Sequence, residues 1–170
     1  PKTPKPQKPQ TPNKLMDQIL DYLYLGNAIA ASNKFSLRSR GITHVLTAAA
    51  GWPPKYPSDF KYLVFNVLDI PSANIAQYFE KVHKFILEAK AAGGKVLVHC
   101  MAGISRSTSC VIAYLMKEYW KSFWEAYEHV WSRRPIICPN PGFVWQLINY
   151  EKKIISSLKG TMFEDHSKVE

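Results

Sequence analysis

Residues 99–107 read His-Cys-Met-Ala-Gly-Ile-Ser-Arg-Ser. Cys100 and Arg106, with five residues between them, sit between an apolar run and an expected helix. Lys95-Val96-Leu97-Val98 reads as a short buried strand. Thr108 to Met116 is almost wholly apolar, as a helix packed on all sides would be. Strand, tight loop and helix start make an anion site, because loop amides and the unpaired amides of the helix's first turn converge on one point. Gly103 lets the loop bend without a Cβ clash. Arg106 adds a planar fork able to bind two phosphate oxygens at once. A field that welcomes phosphate also stabilises a thiolate, so Cys100 is expected to ionise well below the free-thiol pKa of about 8.5. A phosphate cradle with a thiolate at its floor implies nucleophilic attack on phosphorus.

Several elements must position this loop. Tyr22 to Leu25, followed by Gly26-Asn27, reads as a strand and turn. Ala28 to Arg40 reads as a helix stopped by Gly41, and Ile42 to Thr47 as a strand. Tyr62 to Leu68 is a further strand. Asn74 is placed to cap a helix with Ile75, Tyr78, Phe79, Val82, Phe85, Ile86 and Ala89 on one stripe. After the loop, helices are expected over roughly 107–119, 122–134 and 142–157. Strand–helix alternation predicts an α/β fold, with a central, mostly parallel twisted sheet flanked by helices.

That topology also finds an acid. The unit 62–98 is a βαβ crossover, so its strands are parallel and adjacent or nearly so, with their C-terminal ends on one rim. The loop leaves the second strand and Asp69 leaves the first. Asp59 precedes that first strand; ten extended residues span about 33 Å, which puts it near the opposite rim. Asp69 is therefore placed to protonate a leaving oxygen, or else it caps the loop before Pro71.

Composition bounds the rest. The chain has 170 residues, 46% of them hydrophobic, enough for one core and one domain. No apolar run approaches the roughly 18 residues of a membrane span, so none is expected. Cys100, Cys110 and Cys138 are too few and odd in number for a disulfide scaffold, which fits a reducing compartment, cytoplasmic or nuclear. The five histidines show no HxH or HExxH spacing, so no metal site is expected. The net charge of +9 suits acidic or phosphorylated partners. No nucleic-acid-binding motif appears, and nucleic acid is not expected as a partner. Pro1, Pro4, Pro6, Pro9 and Pro12 alternate with Lys2, Lys5 and Lys8, so residues 1–16 read as a disordered tail, either a solvated linker or a docking segment. The domain is expected over 17–157, with a second flexible tail over 158–170.

From 17 to 157 the chain resembles the dual-specificity class of the cysteine-based protein phosphatases. The likeness is carried by His99-Cys100-x5-Arg106-Ser107, Ala113-Tyr114-Leu115-Met116, Arg133-Arg134-Pro135, Pro139-Asn140-Pro141-Gly142-Phe143, and Asp69 five residues before Asn74-Ile75. A bare C-x5-R is easily met by chance; the surrounding elements and four further motifs in order are not. The resemblance implies the cysteine-phosphatase fold. It implies Cys100 as the nucleophile of a phosphocysteine intermediate and Arg106 as the holder of phosphoryl oxygens. Asp69 would be the acid and then the base, and Ser107 the hydroxyl that assists breakdown of the intermediate. The amides of Met101, Ala102, Gly103, Ile104, Ser105 and Arg106 would bind phosphate. His99 would orient the loop. Asn140 would brace it, cap the following helix, or both.

No cofactor or metal is implied, since Arg106 and the loop dipoles supply the positive charge. Met101 to Ser105 carry none of the basic side chains that relatives acting on multiply charged substrates place there. The resemblance implies phosphorylated proteins as substrates, a protein kinase among them, with phosphotyrosine and phosphoserine or phosphothreonine both accepted. The competing reading is a catalytically weak phosphoprotein-binding or scaffold protein on the same fold. Cys138 could resolve an oxidised Cys100, or be an inert buried thiol; Cys110 reads as packing. In the helix over 122–134, Phe123, Ala126, Tyr127, Val130 and Arg134 take the inward stripe. Trp124 and Trp131, seven apart, share one flank: either satellite core or a surface for self-association or a partner.

Overall fold

Alternate residues of the central strands enter different apolar clusters, as strands buried on both faces require. Leu46, Val96 and Val98 join a large cluster, while Val45 and Leu97 face a smaller one. The computed structural model describes residues 14–166, with side chains described through Gly160. The strands are β1 (Met16–Leu20), β2 (Leu23–Gly26), β3 (Ile42–Ala48), β4 (Lys61–Phe65) and β5 (Lys95–His99). They form one sheet in the order β1-β2-β5-β3-β4. β2, β5, β3 and β4 are mutually parallel, and β1 pairs antiparallel at the edge. The expected mostly parallel sheet is present. The strands at 62–98 are separated by one strand, β3, and still end on one rim.

The smaller cluster lies under α1 (Ala28–Ala31) and α2 (Lys34–Ser39). The single helix expected over 28–40 is thus two short ones. The reason is local: Asn27 Oδ1 accepts from the Ala30 amide at 2.9 Å, and Asn33 Oδ1 accepts from the Ser36 amide at 3.0 Å, so the second Asn starts a new helix where the first stops. Asn74 caps as expected, taking the Gln77 amide at 3.2 Å, but a 3-10 turn at Ala76–Tyr78 intervenes before α3 (Phe79–Ala91). The larger cluster packs beneath α3, α4 (Arg106–Glu118), α5 (Phe123–Arg133) and α6 (Pro141–His166). α4 runs through its centre, with every residue from Ser107 to Met116 buried. Large side chains there contribute about 1.5–3 kcal/mol each, enough to hold rigidly the loop that α4 begins from.

Met16 is already in β1, an edge strand too short and mixed in polarity to stand out by alternation, and α6 runs to His166, well past 157. Residues 1–13 and 167–170 of the expected tails lie outside the described residues. Among the described residues, no helix is long and apolar enough to cross a membrane.

Candidate active site

The loop between β5 and α4 turns its carbonyls outward and its amides inward. Each carbonyl from Cys100 to Ser105 accepts a hydrogen bond from outside the loop's concave side. His99 Nδ1 donates to Cys100 O at 3.1 Å, and the Ala28 amide to Met101 O at 3.1 Å. Arg134 Nη2 donates to Ala102 O at 3.4 Å, and Arg134 Nε to Gly103 O at 2.9 Å. The Cys138 amide donates to Ile104 O at 2.9 Å, and the Ser109 amide to Ser105 O at 2.9 Å. A trans peptide points its N–H opposite its carbonyl. The amides of Met101 through Arg106 therefore face the cradle. Gly103 has φ +66°, and a Cβ there would stand 2.5 Å from Gly26 O, so no other residue fits the turn.

Cys100 lies at the floor and is buried. Burial alone would raise its pKa. The Ser107 hydroxyl, 3.0 Å from Sγ, and the amides of Ser107, Gly103 and Ile104 outweigh that penalty and hold the thiol below its ordinary range. Arg106 is anchored by Nη1 donating to Val67 O at 3.0 Å. Its Nε is buried without a hydrogen-bond partner in the protein. His99 orients the strand end: Nδ1 carries the proton to Cys100 O, so Nε2 accepts from Thr47 Oγ1 at 2.8 Å. Burial drives the pKa of His99 down to about 4, against the opposing pull of the Cys100 carbonyl, so the ring is neutral near pH 7.

Asp69 stands over the loop. Its Oδ1 accepts from Ser105 Oγ at 2.7 Å and from Asn140 Nδ2 at 2.9 Å. Ser105 also accepts from the Asn140 amide at 2.9 Å. Asn140 does both things open to it: it braces this network, and its Oδ1 caps α6 by accepting from the Phe143 amide at 3.0 Å. The acid-bearing loop is pinned to α6 at Gly142, where a Cβ would come within 2.0 Å of Pro71 O. Asp59 is elsewhere, bound to Arg38 at 2.6 Å and Lys34 at 3.1 Å on α2.

Two expectations about side chains change. Cys138 is exposed rather than a buried thiol; its backbone, not its sulfur, is what the loop uses. Trp124 and Trp131 are 63% and 40% exposed, so they are not satellite core. Cys110 is fully buried, and burial raises its pKa. Among the described residues no group of three or more His, Cys, Asp or Glu side chains is gathered to hold a metal ion. Three participants have roles that periodicity does not give. Thr47 is a polar residue at a buried strand end, Ser105 acts through its hydroxyl, and Arg134 is a fully buried arginine paired with Asp17 at 2.9 Å. The usable signal was Arg134 itself, a charge on the inward stripe of a helix.

A thiol of lowered pKa, an inward-facing amide ring, an arginine fork and a carboxyl on one rim of a mostly parallel sheet define a cysteine-based phosphatase. The dual specificity phosphatase catalytic-domain family matches residues 23–153. The chain is 48% identical over 132 residues to dual specificity protein phosphatase 1 of Arabidopsis thaliana, covering 78% of this chain and 67% of that protein. It is 44% identical over 138 residues to MAP kinase phosphatase with leucine-rich repeats protein 2 of Dictyostelium discoideum, covering 81% of this chain and 20% of that longer one. The crystal structure of the human tyrosine phosphatase-like serine/threonine/tyrosine-interacting protein superposes with a TM-score of 0.78 at 39% identity, covering 82% of this chain and 97% of that one. The chain belongs to the dual-specificity phosphatase family, and its activity is that of a protein phosphatase.

Proposed function

We propose that this chain hydrolyses phosphotyrosine and phosphoserine or phosphothreonine in proteins through a phosphocysteine intermediate. The observation that carries the reading is the stabilised thiolate of Cys100 beneath six inward amides and the unpartnered Nε of Arg106. In the first step Sγ attacks phosphorus, an S–P bond forms and the ester P–O bond breaks. Asp69 Oδ2 gives its proton to the departing oxygen. The amides and Arg106 meet the charge that spreads over the equatorial oxygens. In the second step Asp69, now a carboxylate, takes a proton from water as the water oxygen bonds to phosphorus. The S–P bond breaks, and the Ser107 hydroxyl donates to the returning thiolate, releasing inorganic phosphate.

The side chains of Met101 to Ser105 add no positive charge to the cradle, which favours single phosphoryl groups on proteins over polyphosphorylated substrates. The likeness to a protein named as a MAP kinase phosphatase supports a protein kinase among the substrates. The free thiols support a reducing setting, cytoplasmic or nuclear. A panel of matched phosphotyrosine, phosphothreonine and phosphoserine peptides, with acid-quench trapping of phosphate on Cys100, tests the reading. Turnover of tyrosine and at least one hydroxyl-amino-acid ester is expected. Cleavage of phosphotyrosine alone would overturn the dual specificity, and absence of a trapped thiophosphate ester would overturn the intermediate.

The exposed flank of α5 supports self-association through Trp124 and Trp131. Sedimentation is expected to show a dimer that the Trp124→Ala, Trp131→Ala double variant loses. A wild type that stays monomeric at all concentrations would remove this surface from the account.

A further inference from the structure

Arg134 is 1% exposed, the largest of the fully buried side chains, and lies at the C-terminal end of α5. A charge so placed must be balanced, and its partners are specific. Nη1 donates to Asp17 Oδ2 and to Lys14 O, both at 2.9 Å. Nε and Nη2 donate to Gly103 O and Ala102 O. Those two carbonyls belong to the peptide groups whose other ends are the amides of Ile104 and Gly103, the same amides that bond the Cys100 sulfur. The guanidinium thus grips the far side of each peptide group that stabilises the nucleophile. It fixes their direction, and its charge polarises them, drawing electrons toward the carbonyl oxygens and leaving the N–H ends more positive.

We infer that Arg134 is a positioning residue for the nucleophile, which stabilises the Cys100 thiolate through the 102–103 and 103–104 peptide groups, with Asp17 of β1 as its anchor and counter-charge. The inference rests on the phosphatase reading of the site and adds a residue that touches neither substrate nor sulfur. The other groups around the sulfur are accounted for. Ser107 faces it from α4, as does Cys110, whose thiol burial keeps protonated, while Arg106 donates to Val67 O. His99 of β5 is neutral near pH 7, and Asp69, from the loop after β4, is tied to Ser105 and Asn140. Around Arg134 the charged neighbours are Asp17 and, 3.4 Å from that carboxylate, Lys14.

The test reads the thiol directly, as the pH dependence of Cys100 alkylation by iodoacetamide, with Cys100→Ser as blank and thermal melts as a check on folding. Arg134→Lys keeps the charge and loses the fork. Its alkylation midpoint is expected to move alkaline by about one pH unit, roughly a tenfold smaller thiolate fraction on the acid side. Asp17→Asn removes the counter-charge while preserving an acceptor, and its midpoint is expected to move the other way, toward acid. Opposite signs separate an electrostatic role from general damage to the loop, which would move both variants alkaline. If Arg134→Lys does not fold, the sign for Asp17→Asn decides alone. Unchanged midpoints in the folded variants, or an alkaline shift with Asp17→Asn, would overturn the inference. The readout needs no turnover, so it fails independently of the phosphatase reading, which Cys100→Ser addresses.

Discussion

Cys100→Ser is expected to abolish turnover of phosphate esters while the loop goes on binding phosphate. Binding rests on the amides of Met101 to Arg106, which are aimed by carbonyl partners on the outer side of the loop, and on the Arg106 fork. None of the bonds that aim these amides involves the sulfur. Chemistry rests on the sulfur alone. Three amides and the Ser107 hydroxyl lower the pKa of the thiol below its ordinary value, but a serine hydroxyl in the same place stays protonated and is a poor nucleophile. The loss is expected to be about 10⁴–10⁶-fold in kcat, the scale on which removal of a covalent nucleophile acts. Isothermal titration with inorganic phosphate should give a dissociation constant near that of the wild type. Hydrolysis by Cys100→Ser at close to the wild-type rate would remove Cys100 from the nucleophile's role.

Asp69→Asn is the second large effect. The side chain keeps its shape, and its oxygen can still accept from Ser105 and Asn140, so the loop is expected to stay in place. What disappears is the proton on Oδ2 and, in the second step, the base for water. For alkyl phosphates and phosphotyrosine, whose leaving oxygens are strongly basic, kcat should fall by about 10²–10⁴. An activated aryl phosphate, whose leaving group departs without a proton, should lose much less. The comparison of leaving groups is therefore the decisive measurement, because a merely distorted loop would slow both alike. Asp59→Asn is the control: Asp59 is engaged by Arg38 and Lys34 on α2, and its loss should leave kcat near wild type. Greater damage from Asp59→Asn than from Asp69→Asn would overturn the assignment of the acid.

The loop and its two end residues were legible in the sequence because their information is local. Cys100, Gly103 and Arg106 sit within one turn of chain, and the apolar run on one side and the buried helix on the other dictate strand and helix by burial alone. Asp69 was legible one level up, because parallel strands must end on a common rim even when β3 intervenes between them. Caps were legible where an Asn side chain reaches an amide three residues on, as at Asn74 and Asn140, but the break at Asn33 was not, because the apolar spacing runs through it.

Tertiary structure alone decided which polar groups meet. Periodicity reports that a side chain faces inward and is silent on its partner. Arg134 takes an inward position like Val130 before it, yet its partners are Asp17, 117 residues away in sequence, and two carbonyls of the loop. Thr47 finds His99 because β3 and β5 pair in that register. Ser105 finds Asp69 because α6 presses Gly142 against Pro71 and closes the acid loop over the cradle. The exposure of Cys138 and of both indoles on α5 follows from how far neighbouring elements extend, a quantity set by packing between distant segments. The nucleophile and its cradle are thus written in nine consecutive residues, while the groups that aim the cradle come from β1, β3, α5 and the start of α6, and only the folded chain brings them to one rim.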